Sequence, residues 1–112
     1  MSANPSNYFT LNGSNQDFYL ASYGPTFTEM TFNLWVWRNG AHNVFSGLVS
    51  NISRSGFIYD SAGGSFSYIW NNDVSTFSYS TGLNTTNQTW VMITLTISPT
   101  QVKWYFNGIL QH

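Results

Sequence analysis

Hydrophobic and polar positions alternate along much of this chain, and no stretch shows the spacing of an amphipathic helix. The clearest alternation runs from Thr89 to Ile97, with Val91, Ile93, Leu95 and Ile97 set against Trp90, Met92, Thr94 and Thr96. Ser98-Pro99-Thr100 turns this segment into Gln101 to Phe106, where Val102, Trp104 and Phe106 share one face, so a hairpin is predicted. A long strand is predicted from Met30 to Arg38, closed by Asn39-Gly40, because both residues tolerate positive φ. Shorter strands are expected at Tyr8 to Leu11, Phe18 to Leu20, Val44 to Ser50, Gly56 to Asp60, Ser65 to Trp70 and Ser75 to Ser80. Gly, Pro, Asn and Asp punctuate them, and a polar loop is expected from Thr81 to Gln88.

Regular short strands with turn signals between them predict an all-β, antiparallel two-sheet sandwich in a single domain spanning 1–112. The end of the pattern is unusual. Asn107-Gly108 is a hairpin signal, and Ile109, Leu110, Gln111 and His112 are all that follow it. A strand of ~5–6 residues is typical. The expectation is therefore a domain that lacks its closing strands, or one whose sheet is completed by another chain through strand addition.

Composition narrows the function classes. Charged residues make up 6% of the chain and aromatics 19%, so its polar surface rests on neutral Asn, Ser, Thr and Gly. That style suits secreted proteins, adhesins and virion shells, and the expected location is extracellular or on a virion surface. The formal charge of −1 and the scattered Arg38, Arg54 and Lys103 leave no basic patch for nucleic acid. No apolar run approaches the ~20 residues of a membrane span, and Met1 to Asn12 shows no charged-then-apolar leader pattern. Without cysteine there is neither a disulfide framework nor thiol chemistry. Four Asn-x-Ser/Thr sequons, at Asn12, Asn51, Asn84 and Asn87, carry little weight among 13 asparagines in a Ser/Thr-rich chain.

Three segments in order resemble the laminin-G-like, concanavalin A-like domains. Phe9 to Phe18 contains a hydrophobic pair followed by Asn12-Gly13, similar to that family's opening hairpin. Phe27 to Trp37, FTEMTFNLWVW, resembles its next strand, which ends in a Trp-Val pair. Trp90 to Leu95 followed by Val102 to Gly108 is similar to its "Trp-hydrophobic-x-hydrophobic-Thr … Tyr-x-Asn-Gly" hairpin. The resemblance implies a jelly-roll sandwich used as a sugar- or protein-binding module. Glycosidases of that architecture carry a Glu-x-Asp-x-x-Glu strand whose carboxylates act as nucleophile and acid. Here Glu29 is the only glutamate, Asp17, Asp60 and Asp73 lie far apart, and a non-catalytic protein is expected. His42, in a turn, and His112 read as surface histidines rather than members of a Ser-His-Asp site.

The resemblance also raises calcium, bound through Asp and Asn in rim loops, with Asp60 and Asp73 as candidate ligands. The alternative for the Asn71-Asn72-Asp73 run is plain turn chemistry. Aromatics are the richest feature. Phe32, Leu34 and Val36 fall on one face of the long strand, and Trp35 and Trp37 on the other. They are either structural, Trp35 in the core and Trp37 beneath a loop or a neighbouring subunit, or part of a sugar platform. The candidate platform comprises Trp37, Tyr59, Tyr68 and Trp70, with Asn71 and Asn72 bonding hydroxyls. The expected function is a lectin-like module for glycan recognition or adhesion, with a carbohydrate or protein ligand. The alternative is a structural virion or phage protein, a decoration, fibre or shell subunit, whose aromatic faces bury against neighbours in a homo-oligomer or larger assembly.

Overall fold

The structure, a computed structural model, describes residues 5–10, 28–40, 46–50, 56–59, 65–69 and 78–112. They form eight strands and no helix: β1 Met30–Trp37, β2 Ser46–Ser50, β3 Gly56–Tyr59, β4 Phe66–Ile69, β5 Ser78–Ser80, β6 Trp90–Ser98, β7 Gln101–Phe106 and β8 Ile109–Leu110. All pairings are antiparallel, and the strands make two sheets, ordered β1-β6-β7-β8 and β2-β3-β4-β5. Each sheet belongs to its own compact unit, Met1–Trp37 with Trp90–His112, and Arg38–Thr89. No helix among the described residues is long and apolar enough to cross a membrane.

The first sheet is built on β6, whose burial alternates residue by residue as its sequence does. Val91, Ile93, Leu95 and Ile97 are buried on one face. Register then forms apolar rows across three strands: Phe32, Leu95 and Trp104 in one, Leu34, Ile93 and Phe106 in the next. Trp104, Ile93 and Leu95 are wholly shielded from solvent. Each such side chain stabilises the fold by about 1.5–3 kcal/mol relative to exposure.

The turns of this sheet follow from their residues. Pro99 sits in the two-residue link between Ser98 and Gln101, where its fixed φ suits a tight turn. Asn107 and Gly108 have φ of 50° and 80°, the positive pair that a type I′ hairpin demands. Asn107 does more than turn the chain. Its backbone N–H donates to the Met92 carbonyl at 2.8 Å, and its Oδ1 accepts from the Met92 N–H at 3.0 Å. The β6–β7 ladder is thereby extended by one step. Past β8 the chain stays attached to β7 through a bulge. The N–H groups of Gln111 (2.8 Å) and His112 (3.4 Å) both donate to the Trp104 carbonyl, while the Trp104 N–H donates to the His112 carbonyl at 2.8 Å. The returning strand expected after Asn107-Gly108 is therefore present and short.

In the second unit, Phe57 and Phe66 are fully buried with ring centroids 6.4 Å apart. Ser67, which points to the opposite face of β4, is buried as well, so both faces of that strand are covered. The segment after β5 is tied to β4 by Thr81. Its hydroxyl donates to the Phe66 carbonyl at 2.7 Å and accepts from the Leu83 N–H at 3.0 Å. The Phe66 N–H donates to the Leu83 carbonyl at 2.8 Å, and Gly82, at φ 68°, makes the reversal.

One expected strand is not formed. Residues 8–10 belong to none of the eight strands, and Leu11 lies outside the described residues. Their β-propensity measures fit to a half-buried pleated surface. Here Tyr8 and Phe9 are 64% and 80% exposed, and Tyr8 engages the first sheet through its ring rather than its backbone. The expected strand at Phe18 to Leu20 and the Asn71 to Asp73 run fall outside the described residues.

Candidate functional site

Strand alternation places Thr31, Asn33, Trp35 and Trp37 of β1 on the face opposite the buried rows. Register sets Trp37 beside Trp90, Trp35 beside Met92, Asn33 beside Thr94 and Thr31 beside Thr96. β7 continues the last two rows with Tyr105 and Lys103. This outer face changes character along its length, from aromatic at the Trp37 end to hydroxyl and amide at the Thr31 end.

At the aromatic end three rings meet. The Trp37 and Trp90 centroids lie 5.7 Å apart with planes tilted by 57°. Tyr8 approaches Trp90 edge-on from the N-terminal segment, at 5.3 Å and 66°. Such pairs are worth about 0.5–1.5 kcal/mol each beyond the area they bury. The cluster still leaves Trp37 45% and Tyr8 64% exposed. Aromatic surface held rigid by its neighbours and open to water is what stacking on an apolar ring face requires.

The middle of the face is neutral. The Thr94 hydroxyl donates to Asn33 Oδ1 at 3.2 Å across the β1–β6 pair. At the far end lies an open depression of about 390 Å³, lined among others by Glu29, Thr31, Thr96, Gln101, Lys103 and Tyr105. Glu29 and Lys103 are the charged side chains among the described residues that line it.

A separate polar cluster belongs to the second unit. Arg38 donates from Nε to Asn87 Oδ1 and from Nη1 to Asn84 Oδ1, each at 2.6 Å. The Gln88 N–H donates to the Arg38 carbonyl at 2.8 Å. One guanidinium fork thus fixes the expected 81–88 loop at two asparagines, both of them sequon residues.

Of the residues singled out from sequence, Trp37 is on the exposed aromatic cluster. Tyr68 is half-buried in β4, in register with Phe57 and on the same face as Phe66, the face that carries this unit's core rings. Tyr59 ends β3 opposite Phe66 and Ser46. Trp70, Asn71 and Asn72, and the candidate calcium ligands Asp60 and Asp73, lie outside the described residues. Among the described residues no three acidic or histidine side chains gather as a metal site. Trp35 stands half-buried on the outer face beside Met92, between the aromatic end and the Asn33–Thr94 pair. Sequence reasoning missed Tyr8 and Trp90 as partners of Trp37. The parity of Trp90 with Met92 and Thr94 was the available signal for the outer face, but the pairing of Trp37 with Trp90 is a matter of register.

No family model, no curated protein and no solved structure matches this chain.

Proposed function

We propose that this protein is a non-catalytic, lectin-like β-sandwich module, a jelly roll in architecture, that recognises a neutral glycan through the outer face of the β1–β6–β7 sheet. The observation that carries this reading is the cluster of Tyr8, Trp37 and Trp90, with Tyr8 and Trp37 exposed, on a strand face that presents the polar pair Asn33 and Thr94 beyond Trp35 and Met92. The C–H faces of a pyranose stack on aromatic rings, and its hydroxyls bond to amides and hydroxyls that carry no net charge. A chain with a single glutamate and 6% charged residues suits ligand capture better than acid–base hydrolysis.

The test is a glycan array of uncharged plant, bacterial and animal saccharides, followed by titration calorimetry with the best hit. Trp37→Ala should weaken binding roughly tenfold or more, the scale of a stacked aromatic anchor, with an unchanged circular-dichroism spectrum. An array with no bound saccharide would end the reading.

A second reading, a structural subunit of a virion or other assembly, is favoured by a different observation. Ile109 and Leu110 of edge strand β8 are 68% and 54% exposed, an apolar step at the rim of the first sheet. Sedimentation equilibrium separates the two: Leu110→Lys should dissolve a large oligomer if the second reading holds, and leave a monomer unchanged under the first.

A further inference from the structure

Resting on the glycan reading above, we infer that the ligand is an extended, unbranched oligosaccharide lying along β1 and β6, rather than a single terminal sugar. The outer face offers more than the aromatic end. Trp37 lies six residue steps from Thr31 along β1, each residue in register with its β6 partner, and at ~3.3 Å per residue this is about 20 Å of strand. That length is several times a sugar ring.

Along it the side chains change in an order that suits successive subsites. Tyr8, Trp37 and Trp90 supply stacking surface at one end. Trp35 and Met92 follow, a second apolar step on the same face. The Asn33–Thr94 pair is neutral and hydrogen-bonded. The Asn33 amide nitrogen still has donors to offer while its Oδ1 is engaged, which matches a hydroxyl acceptor. The track then opens into the depression of about 390 Å³ beside Thr96, Gln101 and Tyr105, where a hydroxyl-rich unit meets a phenol, an amide and two threonine hydroxyls. A ligand confined to the aromatic end would leave this ordered sequence of groups unused. A branched ligand would have to stand away from a flat strand face. Glu29 and Lys103, of opposite sign, sit at the far end only, so the charge along the track favours neither an anionic nor a cationic polymer.

The experiment compares disaccharides with hexasaccharides of the same linkage by calorimetry, using cello-, xylo- and laminari-oligosaccharides on the full chain. The hexasaccharide of the preferred linkage should bind roughly tenfold more tightly or better. In Asn33→Ala and in Gln101→Ala that ratio should fall towards one, whereas Trp37→Ala should weaken both lengths. Equal affinity for the disaccharide and hexasaccharide would overturn the extended track and leave the glycan reading standing. Binding of none of these sugars, together with none on the array, would overturn both. A hexasaccharide advantage that survives Asn33→Ala and Gln101→Ala undiminished would place the extra contacts elsewhere and overturn the track. Chemical-shift changes in the backbone amides of β1 and β6 give a reading that does not depend on any variant: they should reach from Trp37 to Thr31 with the hexasaccharide.

Discussion

The two faces of β6 carry the contrast on which this protein turns. One presents Val91, Ile93, Leu95 and Ile97, buried and packed in rows with β1 and β7. The other presents Trp90, Met92, Thr94 and Thr96, all half-exposed. The same backbone and the same hydrogen-bond ladder serve both. What differs is only which atoms meet water, and a period of two residues is enough to separate a buried face from a water-facing one. The inner face can be read as core because it is uniformly aliphatic, with Trp104 across from Leu95. The outer face mixes tryptophan with threonine and asparagine, a composition that neither buries well nor repels water.

Substitutions in matched pairs sharpen this contrast. Trp104→Ala should cost about 3–5 kcal/mol in chemical denaturation, because its ring is wholly shielded. Trp37→Ala, the same chemistry on the outer face, should cost no more than about 1.5 kcal/mol while weakening the proposed glycan binding roughly tenfold or more. Equal losses would mean that Trp37 belongs to a core. Next in size is the turn that keeps the faces apart. Gly108 has φ 80° with nothing within 4 Å of an added Cβ, so Gly108→Val should cost about 1–2 kcal/mol from backbone strain alone. A slip of the β7–β8 register by one residue would exchange the faces of β8, which would show as faster amide exchange at Trp104, whose N–H donates to the His112 carbonyl at 2.8 Å. A neighbour pair on β6 repeats the contrast within one strand, and its outer member gives the smallest effect. Leu95→Ala should cost about 2–5 kcal/mol, and Thr94→Val, which breaks the exposed bond to Asn33, about 0.5 kcal/mol or less.

The strands with strong alternation were legible. β6 was expected over Thr89 to Ile97 and runs Trp90–Ser98, β7 matches residue for residue, and β1 ends one residue early at Trp37. Period-two patterning is a local property, and a strand buried on one face displays it directly. Tyr8 failed for the converse reason: its own preference is for a strand, but it belongs to no strand among the described residues. The position of Trp37 on the outer face was legible from parity. Its companions were not, because Tyr8, Trp37 and Trp90 come together only through the β1–β6 register and a ring contact, which link residues far apart in sequence. Asn107 shows both limits. Its place in a turn could be read from Asn-Gly, whereas the side-chain bond to Met92 depends on where the hairpin brings it.

The bulge at Gln111 and His112 has a bearing on solubility. A surface with so few charges lacks the lysines that commonly guard the rim of a sheet. Two residues set against Trp104 bend and twist the rim strand instead. An incoming flat strand would find a straight template only along Ile109 and Leu110 before the backbone turns away. At β8, geometry rather than electrostatic repulsion limits how far a second strand could pair.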